Sequence, residues 1–179
     1  MIISISGSPG TGKSEVAKLL AKKMDANLLS IKTLIKGMKC SYDKQRKTKI
    51  VDIKELQRIV DKKLEKTNII EGHLAHLLKS DIIIILRTNP AILKRRLSKR
   101  NWSKKKIEEN IQAEILDSIP IEALQRHNRS KIFELDTSKK TTAAVVAAIA
   151  KILNKHGRRK YSLGKIDWSE RYKDELLGV

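Results

Sequence analysis

Gly7-Ser8-Pro9-Gly10-Thr11-Gly12-Lys13-Ser14 sets glycines, a lysine and a serine hydroxyl at the spacing G-x-x-x-x-G-K-[ST]. A polyphosphate needs several backbone N–H donors aimed at one place, so the chain must curl tightly, and the glycines permit that curl. Lys13 can then reach β- and γ-phosphate oxygens, and the Ser14 hydroxyl is a hard oxygen ligand for Mg²⁺. The loop needs a strand before it and a helix after it. Met1–Ser6 is short, apolar and rich in β-branched residues, whereas Ser14–Met24 carries Val16, Leu19, Leu20 and Met24 near helical spacing. The helix then points its positive end at the phosphates.

Three further places could carry charge chemistry at the carboxyl ends of strands. Glu71-Gly72-His73 follows an apolar triplet. A carboxylate there can hold Mg²⁺ through water or orient an attacking water, and His73 can contact a phosphate or position a nucleophile. Arg87 directly follows the strand-like run Asp81–Leu86 and is placed for phosphate. Arg96 and Arg100 stand four apart, which on a continuous helix puts both guanidiniums on one face. His76, His127 and His156 read as structural, and Arg95 and Lys99 as solvated charge.

The elements that must hold these groups alternate. Strands are expected at the N-terminus, at 27–31, 68–70, 81–86 and 130–135. Helices are expected after the glycine loop and at 52–66, 91–100, 103–116 and 141–153, with Ser103 as the cap of the fourth. The fold class is α/β: a P-loop NTPase with a doubly wound, five-stranded parallel sheet flanked by helices. The stretch 32–49 is polar and basic (Lys36, Lys39, Lys44, Arg46, Lys47, Lys49) and reads as a short helix plus loop outside the core. Beyond Leu153 a tail at 154–179 joins the basic run Arg158-Arg159-Lys160 to Trp168, Tyr172, Leu176, Leu177 and the acids Asp167, Glu170, Asp174 and Glu175. It is either a helix packed on the core or a segment that contacts a partner or RNA.

The 179 residues are 40% hydrophobic, enough for one core, but only 3% aromatic, so that core must be aliphatic. A formal charge of +19 suits phosphate-rich partners (nucleotides, RNA, an RNA-bound protein), although solvated lysine explains it equally. A single cysteine, Cys40, excludes an internal disulfide and suits a reducing cytoplasmic setting. No apolar run nears the ~20 residues that span a bilayer, and no cleavable signal is expected.

Taken together, GSPGTGKS, the strand-end EGH, the run LRTNPAILKRRLSKRNW and the helix segment NIQAEI resemble the adenylate kinase isoenzyme 6 family over about residues 1–153. These are small archaeal or nuclear kinase/ATPases linked to maturation of the small ribosomal subunit. The resemblance implies an adenylate-kinase-like fold with a short NMP-binding arm at about 30–53 and a lid at about 99–109. It implies ATP binding by Gly10, Thr11, Gly12, Lys13, Ser14, Glu15, Arg96 and Arg100, and NMP binding by Lys36 and Arg87. Catalysis would fall to Lys13, Glu71, His73 and Arg100, with Mg²⁺ held by Ser14 and, through water, Glu71. Partners would be ATP, AMP or another NMP, a small-subunit ribosomal protein and rRNA. The chain departs from the family where Glu71 replaces the usual Asp and Lys36 the usual arm arginine. Three activities compete: transfer of the ATP γ-phosphoryl to a monophosphate, an ATPase switch acting in ribosome assembly, and a small-molecule kinase of shikimate or gluconate type.

Overall fold

A computed structural model describes residues 1–43 and 48–173, without side chains at 43–49. Lys44, Arg46 and Lys47 of the arm, and Asp174, Glu175, Leu176 and Leu177 of the tail, lie outside the described residues. The strands are β1 (Ile2–Gly7), β2 (Asn27–Ser30), β3 (Ser41–Asp43), β4 (Thr48–Ile50), β5 (Asn68–Glu71), β6 (Ile82–Arg87) and β7 (Ile132–Asp136). The helices are α1 (Lys13–Met24), α2 (Ile31–Lys36), α3 (Ile53–Asp61), α4 (Pro90–Leu97), α5 (Lys104–Ile115), α6 (Ser118–Arg126) and α7 (Thr142–Leu153). Among the described residues no helix is long and apolar enough to cross a membrane.

Five strands form one parallel sheet in the order β2-β5-β1-β6-β7, as the alternating pattern requires. The run Ile82–Leu86 is apolar at every position because helices cover both faces. Ile82, Ile84 and Leu86 pack with Val16, Leu20, Val145 and Ile149 of α1 and α7, whereas Ile83 and Ile85 pack with Ile119 and Ala123 of α6. The register sets Gly7 beside Leu86, Ser30 and Ile5 beside Glu71, and Arg87 beside Asp136. The chemistry-bearing ends of all five strands therefore share one edge.

Local capping explains the helix starts. Asp52 accepts from Lys54 N and Glu55 N, Asn89 from Ala91 N just ahead of Pro90, and Ser103 from Lys106 N. The arm differs from the expected helix plus loop: after α2 it forms the antiparallel hairpin β3–β4. Its three-residue strands are too short to show a period of two. The segment expected as the lid comprises the turn between α4 and α5 and the first turns of α5.

Packing does not stop at Leu153, where the core was expected to end. Leu163 joins the α6 cluster and Tyr172 packs against Leu93, Leu97, Ile111 and Ile115, with its hydroxyl donating to Asn89 Oδ1 at 2.6 Å. Glu134, buried in the last strand, accepts from the backbone N–H groups of Lys165 and Ile166. A carboxylate inside a sheet must find donors, and the segment 162–166 supplies them. Up to Lys173 the tail is therefore packed structure.

Candidate active site

The P-loop connects β1 to α1. Gly12, at φ 92°, is the left-handed residue from which α1 starts, a backbone state that costs a side chain dearly. Two clefts open on either side of this loop and share Gly10 and Gly12. The larger, about 800 Å³, is lined by Lys13, Ser14 and Glu15 of the loop, Ile31, Lys32 and Ile35 of α2, Val51, Glu71 to Leu74, and Arg100. The smaller, about 240 Å³, lies among Thr11, Val16, Arg96, Thr137, Lys140, Thr142 and Val145.

Lys13 is buried and donates to the carbonyl of Ser8 at 3.0 Å. Burial lowers its pKa to about 8; Arg100 adds to that, and Glu71 and Glu114 oppose it. Glu71 is tied on both oxygens, accepting from Ser14 Oγ at 3.2 Å and from Ser30 Oγ at 2.7 Å. Gly72 follows at φ 152°, and a Cβ there would stand 2.8 Å from the Cβ of Ile31. That close approach is what lets β5 exit directly under α2. His73 lines the larger cleft and keeps a solvent-exposed face. Partial burial of its ring, then the nearby Lys13 charge, lower its pKa, so the imidazole is neutral near pH 7.

The structure brings together Gly10, Gly12, Lys13, Ser14, Glu15, Glu71, His73 and Arg100 around one cleft, and Thr11 with Arg96 around the other. Three expectations are corrected. Arg87 does not face either cleft: it is 1% exposed, and its guanidinium donates to Glu114 Oε1 at 2.8 Å, Asp117 Oδ1 at 2.5 Å and Glu134 Oε2 at 3.4 Å. Burial works against its charge, but Glu114 and Asp117 raise its pKa on balance. Lys36 does not line the cleft; Lys32, one turn earlier on α2, does. Arg96 and Arg100 do not share a helical face, because α4 ends at Leu97. Arg96 donates to the carbonyl of Gly10 at 3.1 Å on the smaller-cleft side, while Arg100 reaches the larger cleft and stacks on Trp102 at 5.1 Å.

Sequence reasoning passed over Ser30, Lys32, Thr137, Lys140, Ser8 and Glu114. Glu114 carried a signal: it is the acid among the apolar positions of NIQAEI. His76 is structural as expected, fully buried between Ser6 Oγ and Glu122 Oε2, each at 2.8 Å. For a metal, the site offers the oxygens of Ser14 and Glu71. Among the described residues no group of three or more His, Cys, Asp or Glu is arranged to hold one.

Residues 3–117 match the family described as AAA domain. A protein named "Putative adenylate kinase" from Archaeoglobus fulgidus is 37% identical over 178 residues, covering 98% of this chain and 96% of that one. One of the same name from Methanocaldococcus jannaschii is 37% identical over 180 residues, with 98% and 97% covered. Among solved structures, deoxyadenosine kinase from M. mycoides with bound dATP superposes with a TM-score of 0.54 at 16% identity, over 86% of this chain and 100% of that one. Thymidylate kinase from Candida albicans gives 0.52 at 17% identity, over 88% and 92%. At such identities these two speak for the shared fold. With its glycine loop, its parallel sheet and its near full-length archaeal relatives, the chain belongs to the AAA domain family of P-loop proteins, in the group that holds those named adenylate kinases.

Proposed function

We propose that the protein is a nucleoside monophosphate kinase that moves the γ-phosphoryl of ATP to AMP or a similar monophosphate. The observation that carries this reading is the pair of clefts sharing one P-loop. A donor triphosphate seated on the loop has room for its base in the smaller cleft, beside Arg96, Thr137 and Lys140. The larger cleft, with Lys32 and an apolar wall of Ile31, Ile35, Val51 and Leu74, takes the acceptor. The two reacting phosphates then meet between Lys13 and Arg100.

In the transfer, an acceptor phosphate oxygen attacks the γ-phosphorus and the bond from it to the β,γ-bridging oxygen breaks, leaving ADP on both sides. Lys13 and Arg100 neutralise charge on the moving group, and the loop amides hold the donor. Ser14 and Glu71, all-oxygen donors, suit Mg²⁺, which supplies charge neutralisation between the phosphates when bound. Glu15 borders the loop at the first turn of α1. The turn around Arg100 closes over the site and excludes water.

A second reading keeps the donor site and makes water the acceptor. Neutral His73 beside Glu71 favours it, since both can accept a hydrogen bond from a water facing the γ-phosphate. Such an ATPase would act as a switch on a small-subunit ribosomal protein or rRNA in the cytoplasm, in line with the +19 charge and the family resemblance. Product stoichiometry separates the two. Two ADP formed per ATP and AMP consumed supports the kinase; ADP with free phosphate, undiminished when AMP is omitted, replaces it with the ATPase.

A further inference from the structure

We infer that Glu114 is a positioning residue for Lys13, acting through Ser8. The inference rests on the phosphoryl-transfer reading. The carbonyl of Ser8 is the acceptor on which the loop is organised: Thr11 N donates to it at 3.3 Å, Thr11 Oγ1 at 2.9 Å and Lys13 Nζ at 3.0 Å. Lys13 is thus parked on the loop that it must leave to meet a phosphate. What keeps Ser8 in place is its own side chain, whose hydroxyl donates to Glu114 Oε2 at 2.5 Å.

Glu114 is well fixed for that task. It is 3% exposed, its other oxygen accepts from Arg87 Nε at 2.8 Å and Thr88 N at 3.0 Å, and its carbonyl accepts from Arg87 Nη2 at 2.8 Å. It sits near the C-terminal end of α5, whose N-terminal end continues the turn bearing Arg100 and Trp102. One helix therefore joins the closing turn to the loop that holds the donor. A charge-assisted bond at this depth is strong and directional. It fixes the Ser8 peptide, so Lys13 departs from a loop that stays open when the ammonium swings to the triphosphate.

Ser8→Ala removes the hydroxyl and leaves the backbone. The expected result is about a tenfold fall in kcat/KM for ATP, measured well below the melting temperature, with KM for the monophosphate unchanged. Glu114→Gln puts an amide in the space of the carboxylate and should give a milder fall. In the double variant the Ser8 effect should largely vanish, because the two groups act as one unit. Titration of Mg·ATP by calorimetry provides a readout independent of turnover: Ser8→Ala must weaken binding several-fold. Wild-type kcat/KM and ATP affinity in Ser8→Ala, with only a lowered melting temperature, would overturn the inference and leave the kinase reading intact. If the wild type transfers no phosphoryl group, the kinase reading fails, and the Mg·ATP titration still decides on Ser8 and Glu114. Glu114→Gln failing to fold leaves Ser8→Ala as the deciding variant.

Discussion

Arg87 and Arg100 are the same residue type, one closing the apolar strand β6 and the other following α4 by three positions. Their surroundings are opposite. Arg87 is closed in by Glu114, Asp117 and Glu134, three carboxylates for one guanidinium. Burial raises the pKa of both Asp117 and Glu134; Arg87 opposes it at Asp117, and at Glu134 the Ile166 and Lys165 N–H groups oppose it first and Arg87 after them. Arg100 meets no carboxylate in the described structure; it faces Lys13 across the cleft and rests on an indole. An arginine whose charge is already spent within the fold organises the protein, whereas one left open to a cleft is available to a phosphate.

Replacing each arginine by alanine should break that contrast in two different observables. Arg87→Ala strands three buried or half-buried carboxylates and should cost about 3–5 kcal/mol of stability. In a chain of this length that lowers the melting temperature by roughly 6–20 °C, seen by circular dichroism. Arg100→Ala should melt like the wild type but lose about 10²-fold in kcat, the scale expected when a group that stabilises transition-state charge is removed. Unchanged melting in the first, or unchanged kcat in the second, would erase the distinction.

The proton on Lys13 sharpens it further. In the free protein its pKa stands at about 8, below the ordinary 10.5. kcat/KM for ATP should therefore be level below pH 8 and fall toward tenfold per unit above it, as the ammonium is lost. Bound triphosphate draws the pKa back up, so kcat should stay flat to higher pH. Stability moves the other way. Between pH 8 and 10.5 the unfolded chain binds the extra proton, so Lys13's contribution favours folding more as pH rises. A pH series of initial rates beside a pH series of melts checks both signs.

The smallest effect compares two lysines on α2. Lys32→Ala should raise KM for the monophosphate several-fold, while Lys36→Ala, which does not reach the cleft, should stay within about twofold. Equal effects would restore Lys36 to the acceptor site.

These contrasts also mark how far the linear chain could be read. The loop 7–14 was legible because its glycines, lysine and serine stand within one short stretch, whereas Glu71–His73 showed only as a polar exit from an apolar run, the hydroxyls that hold Glu71 lying 57 and 41 positions before it. The parallel sheet was legible from the doubly buried run at 82–86. The fate of Arg87 was not, because its partners lie 27, 30 and 47 positions further on. The split of Arg96 from Arg100 turned on where α4 stops, a boundary of one turn. Helix α6 went unread because Pro120 interrupts its opening turn, although Ile119 and Ala123 lie on its buried face. For the arm, polar composition hid a hairpin.

The contact between Glu134 and the backbone of Lys165 and Ile166 has a temporal side. Its donors follow 31 and 32 positions after the carboxylate. A chain emerging from its N-terminus can lay down the central strands and the glycine loop early, but β7 then holds an acid that earlier residues answer only through the long bond from Arg87. Until that later stretch has been made, the carboxylate beside Arg87 lacks its two backbone donors. A nascent chain stalled before Lys165 should accordingly be more open to protease at β7 than one stalled beyond Tyr172.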